Sequence, residues 1–140
     1  MIKNFKKECL DEITNIWLKT NIETHNYIPS KYWINKTNQV KELLLLADIY
    51  IYEENNNIKG FIGLNNNNIE GLFIKKEFQS QNIGTKLLNF IKTKHNSLTL
   101  KVYTKNKIAI KFYKKNNFKI IKKELDQDTQ EEEYLMEYSS

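Results

Sequence analysis

Hydrophobic positions in the first third of the chain recur every three or four residues. This spacing predicts an amphipathic helix, with its hydrophobic face formed by Leu10, Ile13, Ile16, Trp17 and Ile22. Pro29 and Ser30 then interrupt the pattern and can begin a second helix. The hydrophobic residues of that second helix are Tyr32, Trp33, Val40, Leu43 and Leu44. We therefore expect the chain to begin with two helices.

From residue 48 the hydrophobic period changes to two, which is typical of strands. Isoleucines and tyrosines alternate over residues 49–52, so residues 47–53 predict a strand. Two more strands are predicted over residues 58–64 and 69–74, with the asparagine runs 55–57 and 65–68 as turns. Because these connections are too short for parallel crossovers, the three strands should form an antiparallel meander.

The second half of the chain alternates helices and strands. A polar turn after Ile74 leads into a helix that carries Leu87, Leu88, Phe90 and Ile91. The elements predicted after it are a strand (98–103), a helix (106–115), a strand (118–125), an acidic turn (126–129) and a last strand (133–138). Strand, helix and strand at this spacing permit a parallel pair joined by a right-handed crossover. The predicted fold class is therefore α/β (α+β), with a mixed and mostly antiparallel sheet.

Composition supports one globular domain over residues 1–140. The chain is 40% hydrophobic and 28% charged, and at 140 residues it is long enough to bury a core. The longest apolar run, residues 43–47, is too short to span a membrane, and no secretory segment follows Met1, so we expect a cytoplasmic protein. The single cysteine, Cys9, excludes a disulfide framework and a four-cysteine metal site, and is expected to be a buried structural thiol.

The net charge of +5 does not predict nucleic-acid binding. The 22 basic residues are scattered along the chain, and all of them are lysines. Recognition of bases and phosphates usually relies on the planar fork of arginine, which this chain lacks. The lysines are therefore expected to form a solvated surface, with no nucleic-acid partner.

Residues 79–86 form a polar segment between a predicted strand and a predicted helix. A helix N-terminus presents free backbone N–H groups and the positive end of the helix dipole, which favour phosphate or pyrophosphate. Lys86 could add a positive charge. The segment has neither a GK[ST] nor a GxGxxG pattern, so an ordinary turn remains open on this evidence alone.

A second motif makes the first more specific. Residues 79–84 match a Q/R-x-x-G-x-G/A loop at Gln79 and Gly84, and residues 106–118 match N-x-x-A-x-x-F-Y-x-K-x-G-F. The positions that match the second pattern are Asn106, Ala109, Phe112, Tyr113, Lys115 and Phe118. In both motifs and in the order of its elements the chain resembles the GNAT superfamily of N-acetyltransferases. The resemblance implies one N-acetyltransferase domain, with a splayed parallel strand pair, helices on both faces of the sheet, acetyl-CoA as co-substrate and no metal.

Asparagine stands where the family pattern has glycine at two positions, Asn82 and Asn117. Glycine is used where φ is positive or where the backbone approaches a ligand closely. Asparagine tolerates the left-handed region better than most residues, so both positions are expected to keep the backbone conformation. The same reasoning gives Gly84 a positive φ and a place close to the phosphates. The Asn82 side chain is expected to lie near the pyrophosphate.

The resemblance also implies a set of cofactor-binding residues. The exposed edge of the strand Leu72, Phe73 and Ile74 would provide backbone N–H groups to the thioester carbonyl and the pantetheine arm. The pyrophosphate would be bound by the loop and the helix that follows it, through Gln79, Gln81, Asn82, Ile83, Gly84, Thr85 and Lys86. Asn106, Ala109 and Tyr113 complete the expected set.

Three residues are predicted to act in catalysis by direct attack of an amine on acetyl-CoA. Tyr113 is the predicted general acid toward the departing thiolate, against a purely packing role beside Phe112. Glu70 and His25 are the candidate bases, and His25 is the preferred one. His25 lies in a Thr-His-x-aromatic-aliphatic segment similar to that of some small bacterial GNAT proteins. A histidine base with its ordinary pKa of about 6.5 would give kcat/KM an acidic limb near that pH. Tyr103 is a further residue expected to line the cleft.

The acceptor is not specified by the sequence. A small-molecule amine and a protein lysine both remain open, as do a monomer and a homodimer. A different class of function, a catalytically weak acyl-CoA-binding sensor or partner-binding module, is the alternative to the enzyme.

Overall fold

The computed structural model describes residues 1–140, which form four α-helices, seven strands and two single-turn 3-10 helices (Lys7–Cys9 and Lys76–Phe78). The helices are α1 (Leu10–Thr24), α2 (Ser30–Leu46), α3 (Ile83–Lys92) and α4 (Lys107–Lys115). The strands are β1 (Ile2–Asn4), β2 (Asp48–Glu54), β3 (Asn57–Asn65), β4 (Asn68–Ile74), β5 (Ser97–Tyr103), β6 (Lys119–Leu125) and β7 (Glu132–Ser139). All seven strands form one sheet, in the order β1-β2-β3-β4-β5-β7-β6. None of the helices has the length and hydropathy needed to cross a membrane.

The antiparallel meander of β2, β3 and β4 is confirmed. The asparagine runs form its turns, in which Asn55, Asn56 and Asn66 adopt positive φ angles between 54° and 61°. Tight hairpin turns require this left-handed conformation, and asparagine reaches it more easily than other side chains. Asparagine therefore does at these turns what glycine does in most hairpins.

The hydrogen-bonded parallel pair is β4 with β5, joined through α3. The two strands pair only at Asn68 with Thr99 and at Ile69 with Leu100, and beyond these residues they separate. β5 and β6 also run in the same direction, but β7 lies between them and pairs antiparallel with both. The predicted fold class is confirmed, including the splayed parallel pair. β1 was not predicted, because three residues are too few to show a period.

Helices cover both faces of the sheet and form two hydrophobic cores. On one face α3 and α4 bury Leu87, Leu88 and Ile110 against the sheet, and Phe118, which follows α4, joins the same core. On the other face α1 and α2 pack through Ile13, Trp17 and Trp33. Cys9 is partly buried against this second core, at the residue preceding α1. The separation of β4 from β5 thus opens a gap within the sheet, and a packed hydrophobic core lies on each face of that sheet.

Candidate active site

A cleft of about 290 Å³ opens where β4 and β5 separate. Helices α1 and α2 line one side of it, and the first turns of α4 line the other. The residues lining the cleft are Trp17, Asn21, His25, Trp33, Glu70, Gly71, Leu72, Phe73, Lys101, Val102, Tyr103, Asn106, Ala109, Tyr113 and Glu133. The cleft therefore brings together the predicted residues Glu70, His25, Tyr103 and Tyr113, which lie far apart in the sequence.

The open edge of β4 presents backbone donors to the cleft. The N–H of Lys75 donates to the carbonyl of Lys59 on β3 at 2.9 Å. Because N–H directions alternate along a strand, the N–H of Phe73 also faces β3, whereas those of Leu72 and Ile74 face the gap. The predicted backbone donors are therefore Leu72 and Ile74, and Phe73 contributes its ring to the cleft wall.

Glu70 is the extra residue of a β-bulge. Between the pairs Gly63–Gly71 and Leu64–Ile69, β3 advances by one residue while β4 advances by two. Bulges re-aim side chains and bend the strand, and they are frequent next to active sites. Here the bulge lies where β4 leaves β5, and the Glu70 side chain lines the cleft. A sequence pattern with a period of two gives no sign of this irregularity.

The predicted phosphate-binding segment forms a turn that leads into α3. Asn82 precedes the helix with φ 62° and ψ 16°, which is the left-handed conformation expected of it. The N–H of Lys86 donates to the Asn82 carbonyl, so the N–H groups of residues 83–85 have no acceptor within the helix. Gln79 Nε2 donates to the carbonyl of Ile74 at 3.1 Å and so holds the start of the turn against the end of β4.

The remaining residues of this segment frame the same helix end. Gln81 and Ser80 are exposed, and Ser80 also has a positive φ of 74°. The Lys86 ammonium lies 3.4 Å from the Tyr52 hydroxyl, one turn into the helix. The segment thus combines free N–H groups with a nearby positive charge.

The expectation for Gly84 is wrong in one respect. No glycine of the chain has a positive φ. A β-carbon at Gly84 would lie 3.1 Å from Cζ of Phe112, which is closer than ordinary van der Waals contact. The constraint at Gly84 is therefore the space beside the Phe112 ring on α4, which would have to shift by a few tenths of an ångström to admit a side chain. Asn117, by contrast, follows α4 with a φ of 72°, as expected for a residue in the position of a glycine.

Tyr113 lies in the core and also lines the cleft. Its side chain packs against Phe112 and Phe118, with ring centroids 5.3 and 5.5 Å away. Burial raises the pKa of its hydroxyl, and no charge or hydrogen bond contributes to that shift. The phenol therefore keeps its proton at neutral pH, and it can donate that proton to a group that enters the cleft.

His25 follows α1 and contacts the start of α4. Its Nε2 lies 3.4 Å from Asn106 Nδ2, and its buried Nδ1 has no hydrogen-bond partner. Burial lowers the pKa of this imidazole to about 4. The expected acidic limb near pH 6.5 assumed the ordinary histidine pKa, so a limb from His25 would instead lie near pH 4.

Glu133 and an aromatic wall were not predicted as part of the site. Rings of Trp17, Trp33, Phe73, Tyr103 and His25 line the cleft on the side of α1 and α2. The Tyr103 hydroxyl donates to Asp126 Oδ2 at 3.0 Å, which fixes the turn between β6 and β7 over the end of β5. Burial is the main cause that raises the pKa of Tyr103. Glu133 reaches the cleft only because β7 pairs with β5. Pairing between strands that are distant in the sequence cannot be predicted from a local pattern.

Comparison with known proteins agrees with this geometry. A family model described as the acetyltransferase (GNAT) domain matches residues 46–120. Peptidyl-lysine N-acetyltransferase YiaC of Escherichia coli K12 is 28% identical over 144 residues, which cover 99% of this chain and 96% of YiaC.

Two solved structures share the fold over nearly the whole chain. The solution structure of apo YjaB from Escherichia coli superposes with a TM-score of 0.87 at 23% identity, over 99% of this chain and 96% of that one. The PaiA N-acetyltransferase of Thermoplasma acidophilum, solved with coenzyme A, gives a TM-score of 0.84 at 21% identity, over 100% and 98% of the two chains.

Proposed function

The chain belongs to the GNAT family of acetyltransferases and uses acetyl-CoA as its co-substrate, and we propose that it acetylates the side-chain amine of lysine in proteins. The observation that carries this proposal is the cleft itself. Backbone donors of β4, the Tyr113 hydroxyl and the Glu70 carboxylate line one opening whose other wall is aromatic. Aromatic walls suit the long alkyl chain of lysine, and a carboxylate suits its amine. The similarity to a relative named as a peptidyl-lysine N-acetyltransferase supports this acceptor.

The cofactor is proposed to bind across the ends of β4 and α3. The free N–H groups of Ile83, Gly84 and Thr85, with Lys86 nearby, suit the pyrophosphate. The N–H groups of Leu72 and Ile74 suit the pantetheine arm and the thioester carbonyl, since that edge of β4 has no partner strand. Donors fixed in advance around a developing oxyanion are typically worth about 3 kcal/mol in the transition state.

Transfer is proposed to occur by direct attack in a ternary complex. The neutral amine attacks the thioester carbon, a C–N bond forms, and the C–S bond breaks. The sulfur leaves as thiolate, and the Tyr113 hydroxyl, which lines the same cleft, donates a hydrogen bond and then its proton to that sulfur. The nitrogen releases its proton to a base.

Glu70 is the base that the geometry favours. Its side chain is exposed to the cleft, so it can accept a proton directly or through one water molecule. His25 Nε2 already faces the Asn106 amide, and its Nδ1 is buried. His25 is therefore proposed to orient the start of α4, with Glu70 as the residue that accepts the proton.

Residues 1–140 are proposed to act as one cytoplasmic N-acetyltransferase domain. Family membership does not favour the alternative of a sensor that only binds acyl-CoA. An acceptor panel tests the proposal, with free thiol followed after mixing acetyl-CoA with Nα-acetyl-lysine methylamide, a polyamine, an aminoglycoside or a free amino acid. The blocked lysine is expected to give the highest kcat/KM. Faster turnover of the aminoglycoside or the amino acid would contradict the lysine assignment and leave acetyl transfer intact.

A further inference from the structure

Glu133 lies on the wall of the cleft opposite Glu70. It is the cross-strand partner of Tyr103 in the antiparallel pair of β5 and β7. Partners of this kind point to the same face and have β-carbons about 5 Å apart. Glu133 is partly buried and lines the cleft, as does the Tyr103 ring. One carboxylate thus lies on β4 and a second on the far wall.

Glu133 forms no ion pair with a lysine of the chain. It takes part in none of the eight ion pairs. The lysine that shares its wall, Lys101, is 3.2 Å from Glu124 instead. Burial, and next to it the charge of Asp126, raise the pKa of the Glu133 carboxyl, while Lys101 acts in the opposite direction. A partly buried carboxylate without a cation is unfavourable for the folded chain, and a bound cation relieves that cost.

The surroundings of Glu133 suit a cation carried on an alkyl chain. The cleft wall is formed by rings, among which His25 and Tyr103 have centroids 5.1 Å apart and His25 and Trp33 have centroids 5.5 Å apart. Ring faces attract ammonium groups and also pack well against methylene groups. Trp33 is 6% exposed and its Nε1 has no hydrogen-bond partner within the chain.

We infer that Glu133, beside the ring of Tyr103, binds the charged ammonium form of the acceptor lysine, at a place separate from the base Glu70. This inference rests on the proposed lysine acceptor. An amine with the ordinary lysine pKa of about 10.4 arrives protonated at neutral pH, so a site for the cation increases its occupancy before the proton is removed. Glu133 then determines how tightly the acceptor binds, and Glu70 determines how fast the bound amine reacts.

The test measures binding without turnover. Wild type is saturated with CoA, which has no acetyl group to transfer, and is titrated with Nα-acetyl-lysine methylamide while the fluorescence of Trp17 and Trp33 is followed. Nα-acetyl-norleucine methylamide is the matched neutral ligand, since it has no amine. Glu133→Gln should weaken lysine binding about tenfold or more, the effect of losing one hydrogen bond between charged groups, and should leave norleucine binding unchanged.

Three variants make the result specific. Glu137→Gln is the matched control, because Glu137 lies on the same face of β7, is exposed and does not line the cleft. Glu133→Asp keeps the charge and should restore part of the affinity. Glu70→Gln should lower kcat more than it weakens lysine binding. Glu133→Gln is also expected to raise Tm, because it removes a carboxylate without a partner.

Equal lysine affinity in wild type and Glu133→Gln would overturn the inference, and so would a wild type that binds norleucine as well as lysine. If wild type still acetylates lysine in either case, the proposed function stands and only the role of Glu133 is wrong. A wild type that acetylates no lysine under any condition would contradict the proposed function instead.

Discussion

Asn106 Nδ2 lies 3.4 Å from His25 Nε2 and so joins the start of α4 to the end of α1. The other side-chain atom of Asn106, Oδ1, accepts the N–H of Ala109 at 3.2 Å and caps α4. Since Oδ1 is occupied in this way, the amide donates to the imidazole, which places the histidine proton on Nδ1. The contact holds the helix that carries Tyr113 against the layer that forms the aromatic wall.

The first prediction concerns stability and pH. The pKa of His25 is lowered from 6.5 to about 4, so the unfolded chain binds a proton on this ring that the folded chain does not. The neutral ring therefore contributes at most about 3 kcal/mol to the free energy of unfolding. This contribution is fully present above pH 6.5 and is lost as pH falls toward about 4. His25→Gln should lose less stability than wild type in urea unfolding between pH 7 and pH 5. An identical loss in both proteins would show that the ring is not held neutral.

The second prediction compares the two asparagines with positive φ. Asn82 and Asn117 share this conformation, but only Asn82 lies at the start of α3. Glycine accepts the same φ, so both glycine variants should unfold within about 1 kcal/mol of wild type. Asn82→Gly should bind acetyl-CoA more tightly by calorimetry, because it removes a side chain beside the pyrophosphate. Asn117→Gly is the matched control, and an equal gain there would contradict the placement of the pyrophosphate.

The third prediction concerns the cofactor and thermal stability. Acetyl-CoA at about a hundred times its Kd should stabilise the fold by about 2.7 kcal/mol. For a chain of this length each kcal/mol raises Tm by roughly 2–4 °C, so differential scanning fluorimetry should record a shift of several degrees. No shift at millimolar acetyl-CoA would contradict binding at the ends of β4 and α3.

The fourth prediction concerns the leaving group. Tyr113→Phe keeps the ring that packs on Phe118 and removes only the hydroxyl. Turnover should fall roughly 10²-fold, which is the scale of a lost general acid, while acetyl-CoA affinity stays within a few-fold. Tyr138→Phe is the control, since Tyr138 also packs on Phe118 but does not line the cleft. Unchanged turnover of Tyr113→Phe would contradict the role of Tyr113 as general acid and leave it only a packing role.

Local patterns in the sequence predicted most of the elements and the positions of both motifs. The helix periods, the asparagine turns and the left-handed conformations of Asn82 and Asn117 depend on residues close together in the chain. The missing parts depend on contacts between distant residues. The insertion of β7 between β5 and β6 brings Glu133 beside Tyr103, and the bulge at Glu70 arises from the register of two strands.

Burial explains the remaining differences between expectation and structure. The pKa of His25 is lowered by residues from several elements that surround it, so its position in the sequence indicates only an ordinary histidine. Gly84 was expected to have a positive φ, but its constraint is the ring of Phe112 on another helix. In both cases the deciding neighbour lies in a different element.

Acetylation of a blocked lysine in the cleft is the most direct measurement. Wild type, Glu70→Gln and Tyr113→Phe are each mixed with acetyl-CoA and Nα-acetyl-lysine methylamide, and mass spectrometry records the product while free thiol is followed. The expected result is one acetyl group on the side-chain nitrogen for each thiol released, at a rate that either substitution lowers strongly. Thiol release without acetylated lysine, or acetylation that both variants sustain at the wild-type rate, would contradict acetyl transfer to lysine in this cleft.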